Sequence, residues 1–254
     1  MNSAEKIWTA GLVIIGDEIL SGRTHDKNIA QVGSWLQIQG IRLSEVRVVP
    51  DVMEHIIEAV KSLHSKNDYL FTTGGIGPTH DDITVDAVAA AFDVPVVVHP
   101  MARKMLSEYY ASKNMELTDA RLRMARVPQG ADLIPNRMSG APGIKFLNIH
   151  LMAGVPHITA GMLDALTGSL DGGVPLINET IGCWTAESEV AEILHEVEIS
   201  HNNVQIGSYP FFREGKVGAN FVVRSTNQDD LDSAVHTLCE ALGEEGLDFT
   251  PGGI

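Results

Sequence analysis

Short apolar runs rich in β-branched residues alternate with stretches of helical period over the first 170 residues. "AGLVIIG" (10–16), "EVRVVP" (45–50), "DYLFTT" (68–73) and "VPVVV" (94–98) read as buried strands. Between them, Ile29, Val32 and Leu36 share one helical face ahead of Gly40, a glycine stop, and Ile56, Ile57, Val60 and Leu63 form a second stripe. Strands that alternate with helices predict parallel pairing through crossover helices, an α/β class with a doubly wound, mostly parallel sheet.

Further along, "APGIKFLNIHLMAGVP" (141–156) reads as two extended pieces that lead into a helix from about His157 to Leu170. "DGGVP" (171–175) is the best boundary, which predicts domains at 1–172 and 173–254. Beyond it "ESEVAEILHEVEIS" reads as a helix, "VQIGSYPFF" and "GANFVVRS" as strands around a "REGK" turn, and "DDLDSAVHTLCEALGEEG" as a closing helix. That order predicts a small α+β domain.

Composition narrows the class. The 254 residues are 44% hydrophobic and 20% charged, and no apolar run is long enough to cross a bilayer, so no membrane partner is expected. The apolar stretch near the N-terminus is broken by a glycine and acids and reads as a strand rather than a signal peptide. Cys183 and Cys239 lie far apart without metal-ligand spacing, which predicts free thiols and a cytoplasmic setting. The net charge is -15, and residues 178–254 carry three basic side chains against fourteen acidic ones. Such a surface repels a phosphate backbone, so no nucleic-acid partner is expected.

The candidate chemistry lies in "FTTGGIGPTHDD" (71–82), where an apolar strand runs into a glycine-rich turn and then into adjacent acids. Glycines after a strand of a doubly wound sheet let backbone amides approach an oxyanion, which points to a phosphorylated small-molecule ligand at Gly74, Gly75 and Gly77. Pro78 stiffens the turn, and Thr79 or Asp81 is placed to cap the next helix. The turn is neither a Walker loop nor a dinucleotide fingerprint, and a tight turn without a ligand fits it as well. A carboxylate beside phosphate is unfavourable unless a cation lies between them, and Mg²⁺ takes one or two carboxylates together with phosphate oxygens. Asp81 and Asp82 are therefore candidate ligands of a divalent cation (Mg, Mn or Co), with Asp51 and Glu18 converging from the ends of two other strands; helix capping is the alternative for Asp81 and Asp82.

Taken in order, "IIGDEILSG" with Asn28, "VVPD" ending in Asp51, "TTGGIGPTHDDIT", "SGAPG" and "AGVP" resemble the molybdopterin-binding-fold family of MoaB, MogA and the gephyrin domains. More closely, residues 8–170 resemble the N-terminal domain of the CinA competence/damage-inducible family, and the segment after 175 resembles that family's small KH-like domain, without the amidase-type domain of full-length members. The resemblance implies a three-layer α/β/α domain with Thr73, Gly74, Gly75, Gly77, Pro78 and Thr79 as ligand loop, Asp51 and Asp82 as acidic site residues, and ligand contacts at Glu18, Asn28 and Gly154. It implies chemistry on a phosphoanhydride: metal-dependent cleavage of ADP-ribose in the CinA type, or adenylyl transfer to molybdopterin in the cofactor-synthesis type. Family members self-associate, so a homo-oligomer is expected. Arg121, Arg123, Met124 and Ala153 depart from the CinA pattern and put the substrate, more than the fold, in question.

Neither cysteine has a local histidine or basic partner, and no nucleophile elbow occurs, so water is the expected nucleophile. Asp82 would hold the metal, Asp81 or Asp51 would act as general base, and His80 is a candidate phosphate donor with a solvated loop histidine as its alternative. A non-catalytic nucleotide- or pterin-binding module is the remaining reading of the same residues.

Overall fold

A computed structural model describes residues 6–136, 138–213 and 215–254. The chain divides into two compact units, Met1–Gly173 and Val174–Ile254.

In the first unit, β1 (Trp8–Ile15), α1 (Asp17–Leu20), α2 (Asn28–Ile38), β2 (Ile41–Val49), α3 (Met53–His64), β3 (Tyr69–Thr73) and α4 (Thr84–Ala91) open the chain. They are followed by β4 (Val96–Val98), α5 (Pro100–Ser112), α6 (Asp119–Leu122), β5 (Arg126–Pro128), β6 (Asp132–Ile134), β7 (Gly143–Phe146), β8 (Ile149–Met152) and α7 (Pro156–Leu166). The main sheet runs β2-β1-β3-β8-β7-β6. Its first four strands are parallel and β7 is antiparallel to both neighbours.

The period-2 alternation of β1 builds the layers. Val13 and Ile15 pack with Ile56, Val60, Leu63 and Val88 of α3 and α4, while Leu12 and Ile14 pack with Val32, Leu36, Met162 and Leu163 of α2 and α7. The result is the expected three-layer α/β/α arrangement. β1 pairs with β2 on one side and β3 on the other, so strand order reverses there and a crevice opens at the carboxyl ends of β1 and β3.

Two sequence expectations change. The "VPVVV" run does not join the main sheet: β4 pairs antiparallel with β5 in a separate two-stranded ribbon, and Val97 and Val98 are exposed. The fourth parallel place belongs to β8, whose four residues are all buried. Apolar content alone does not separate a buried strand from an exposed ribbon of equal length. β2 also begins earlier than expected, because its polar Arg42, Ser44 and Glu45 sit on a strand at the edge of the sheet.

The second unit pairs β9 (Ile177–Cys183), β10 (Val204–Arg213), β11 (Lys216–Ser225) and β12 (Phe249–Pro251) antiparallel in the order β10-β11-β9-β12. Its helices α8 (Glu187–Ser200) and α9 (Gln228–Glu244) contribute Val190, Val197, Leu231, Leu238 and Leu242 to a core shared with Ile181, Phe221 and Val223. The α+β make-up is as expected, although β9 and β12 were not legible as strands. Cys183 and Cys239 are free thiols, and no described helix is long and apolar enough to cross a membrane.

One buried group sets a pH limit on the first unit. His150 on β8 lies opposite Phe71 on β3, fully buried, with the two rings stacked at 4.9 Å. Burial, with the nearby Lys145 charge, pushes its pKa down to about 4. The unfolded histidine binds its proton near 6.5, so the neutral ring contributes full stability above that pH, and the contribution is lost as pH falls toward 4. The span corresponds to about 3 kcal/mol. Thermal melts should drop over this window in the wild type and stay flatter in His150→Phe; equal pH slopes would show that His150 is not the sensor.

Candidate functional site

The glycine turn is shaped by close backbone approach. Gly74 and Gly75 have φ of 99° and 67°. A Cβ on Gly74 would stand 2.1 Å from the Ile15 carbonyl oxygen at the end of β1, and one on Gly75 would stand 2.1 Å from Thr84 Oγ1. Only glycine satisfies both the dihedral and the contact. The Thr84 hydroxyl donates to Gly74 O at 2.9 Å and its amide donates to Gly75 O at 3.0 Å, which joins the turn to the start of α4. The Gly74 amide donates to Met152 O on β8, and a Cβ on Gly154 would lie 3.3 Å from Gly74 Cα, so the β8–α7 turn supports the loop from its other side.

Asp82 closes the loop on itself. Its carboxylate accepts from the amides of Gly77 and Thr79, both at 2.7 Å, and from the Thr79 hydroxyl. Arg123 donates to the Asp82 carbonyl at 3.3 Å. Asp82 thus organises the turn, a task that its expected role as metal ligand did not include.

A cavity of about 550 Å³ opens beside the turn. Gly74, Gly75, Gly77, Pro78 and Gly154 line it, and so do the carboxylate-bearing Glu18, Asp51, Asp81 and Asp82. No lysine, arginine or histidine is among its described lining residues. β1, β2 and β3 therefore deliver the predicted acids and glycines to one place. Asp51 Oδ2 accepts the Asp17 amide at 3.0 Å. Its pKa is raised, first by burial and then by the charges of Asp17, Glu18 and Asp81, against the lowering effect of that amide.

Other predicted residues support the cavity without lining it. Asn28 is buried and donates from Nδ2 to Gly154 O at 2.8 Å, and Thr73 is buried at the end of β3. Thr79 turns to Asp82, and His80 is fully exposed with Nδ1 4.0 Å from Asp81. Arg121 donates to Glu116 O and lies over the Tyr110 ring at 4.4 Å, so it is engaged away from the cavity. Met124 and Ala153 do line it, together with Ser139, Ala141, Pro142, Ile158 and Met162. Apart from Met124, which the family comparison had marked as a departure, and the residues of the quoted "SGAPG" motif, periodicity held no signal for this apolar wall.

The residues suit a hard divalent cation better in an open than in a closed site. No three His, Cys, Asp or Glu side chains among the described residues gather as a ready-made cage. Carboxylate oxygens facing an anion loop are nevertheless the donor set that Mg²⁺ uses when phosphate oxygens and water complete its shell.

The fold and this crevice define an α/β protein with a glycine-rich loop at a strand-order switch point. Residues 11–171 match the family described as a probable molybdopterin binding domain, and the chain belongs to that family. Residues 175–250 match the middle domain of FAD synthase. A protein of Pyrobaculum calidifontis is 35% identical over 211 residues, covering 80% of each chain. A protein of Pyrococcus furiosus is 30% identical over 256 residues, covering 96% of this chain and 99% of its own. Among solved structures, CinA from Thermoplasma acidophilum, titled as of unknown function, superposes with a TM-score of 0.59 at 28% identity, over 64% of this chain and 98% of that one. The likeness to CinA expected from the sequence is upheld, and the fold supports a phosphorylated small-molecule ligand.

Two substitutions separate the roles of the acids. Asp82→Ala should lower stability by about 1–2 kcal/mol, because two amides and a hydroxyl lose their acceptor. Asp81→Ala should lower the melting temperature less, because a Thr79 contact is what its carboxylate loses, and equal losses in calorimetry would remove the distinction. The folded protein holds the Asp51 proton more tightly than the unfolded chain, so stability is greatest at low pH and is lost as pH rises through the raised pKa. Asp51→Asn should therefore melt above the wild type at neutral pH, and the gain should vanish near about pH 3, below the ordinary carboxylate range.

Proposed function

We propose that this protein is a divalent-metal-dependent nucleotide pyrophosphatase that cleaves the phosphoanhydride of ADP-ribose or a related dinucleotide. The observation that carries the reading is the cavity in which a glycine turn and four carboxylates meet, with no basic side chain among its described lining residues. A phosphorylated ligand is favourable there once a divalent cation lies between the two charges. The match of residues 175–250 to the FAD synthase middle domain adds flavin adenine dinucleotide, itself a pyrophosphate-linked dinucleotide, to the candidate substrates.

In this reading the anhydride phosphates lie against the Gly74–Gly77 turn. Asp81 and Glu18 hold the cation, which when bound neutralises phosphate charge and makes the phosphorus more electrophilic. Asp82 keeps the turn in shape. Asp51 Oδ2 is engaged by the Asp17 amide, which leaves Oδ1 to take a proton from the attacking water. Burial is the first cause of the raised pKa of Asp51, and it favours a carboxylate that can take up a proton. Water oxygen bonds to phosphorus, the bridging P–O bond breaks, and ADP-ribose yields AMP and ribose 5-phosphate.

Adenylyl transfer to molybdopterin is the second reading, favoured by the family match over residues 11–171. The same turn would then hold the phosphates of ATP.

The purified protein should be incubated with ADP-ribose, flavin adenine dinucleotide and ATP, each with and without Mg²⁺, Mn²⁺ or Co²⁺, and the products weighed by mass spectrometry. AMP with ribose 5-phosphate from ADP-ribose, or with FMN from the flavin dinucleotide, is expected only with metal. Asp51→Asn should lower the rate by about a hundredfold or more while remaining folded. No cleavage with any metal would sink the hydrolase reading.

A further inference from the structure

The same cavity also has an apolar lining. Met124, Ala141, Pro142, Ile158 and Met162 present an apolar wall, and Ser139 places a hydroxyl beside it. Met162 belongs to the core under α2 and α7, while Met124 and Ala141 pack on the cluster of Ala102, Leu106 and Ala125, so the wall is anchored on two sides. Besides the four acids, Thr24 and Ser139 are the polar side chains among the described lining residues.

The Ser139 hydroxyl is set by a buried amide. Asn136 is 5% exposed, and its Nδ2 donates to Ser139 Oγ at 2.7 Å and to Ala141 O at 2.8 Å, while its Oδ1 accepts the Met138 amide at 2.9 Å. The Met138 amide needs an acceptor and the Ala141 carbonyl needs a donor, so the amide orientation is fixed at both ends. Ser139 Oγ therefore receives one hydrogen bond from Asn136 and retains its own proton to give. Gly140, at φ 72°, follows it where a Cβ would stand 2.3 Å from the Tyr109 ring, so the turn that presents Ser139 admits only glycine.

We propose that Ser139 is a specificity-determining residue: its hydroxyl donates to an acceptor atom on the edge of a heteroaromatic ring whose faces lie against the apolar wall, at the base end of a nucleotide. The inference rests on the nucleotide reading of the cavity, and it adds which end of the ligand lies where and which ligand atom is read. A ring without an edge acceptor would leave the ordered hydroxyl unpaired and bind more weakly. Asn136 acts through Ser139 as a positioning residue.

Calorimetric titration of the full chain in Mg²⁺ with two probes, AMP and ribose 5-phosphate, tests this without turnover. The wild type should prefer AMP. Ser139→Ala should weaken AMP about fivefold, the worth of one neutral hydrogen bond, and leave ribose 5-phosphate unchanged, while Ser139→Thr, which keeps the hydroxyl, should restore the preference. Met124→Lys, which puts a charge on the wall, should remove AMP selectivity with Ser139 intact. Equal affinity of the wild type for both probes, no binding of AMP, or an equal loss of both probes in Ser139→Ala overturns the assignment. Base-selective binding without hydrolysis would sink the pyrophosphatase reading and leave this one standing; hydrolysis without base selectivity would do the reverse.

Discussion

The approach of one backbone to another, Gly74 against the carbonyl that ends β1, is the constraint on which the site depends. It brings the turn after β3 to the place where strand order reverses, with a gap too small for any Cβ. Thr84, Met152 and Gly154 each hold the turn by its main chain. A loop fixed in this way is ordered before a ligand arrives, which lowers the entropic cost of binding.

Charge is the second organising feature, and it works against stability. At Asp51, burial and then the charges of Asp17, Glu18 and Asp81 disfavour the ionised carboxylate. A fold selected for stability alone would replace one of them with an amide. Such a strained set of charges is the kind of local destabilisation found where a site awaits a cation or a phosphorylated ligand. Asp82 belongs to the group by position but differs in role, since its oxygens are satisfied within the loop.

Two kinds of lining divide recognition between them. The glycine turn and the acids supply charge and backbone, and Met124, Ala141, Pro142, Ile158 and Met162 supply apolar surface to the same cavity, with Ser139 among its lining. A ligand that joins a phosphate to a flat apolar ring would use both, whereas an inorganic anion would use one. The second unit is acidic and has its own core.

The sequence by itself determined the alternation of strand and helix, the glycine turn and the identity of its acids. These are encoded locally, in period, in residues that tolerate positive φ, and in charge next to glycine. Tertiary structure decided what local pattern cannot carry. It sent "VPVVV" to a peripheral ribbon and "IHLM" to the main sheet, because burial of a strand depends on its neighbours rather than on its composition. It turned Asp82 inward and Arg121 away from the cavity, because a side chain's partners come from its own loop as readily as from a ligand. It also gathered Met124, Ser139 and Met162, distant in sequence, onto one cavity, since only the folded chain brings a 3-10 turn, a loop and a helix to a common wall.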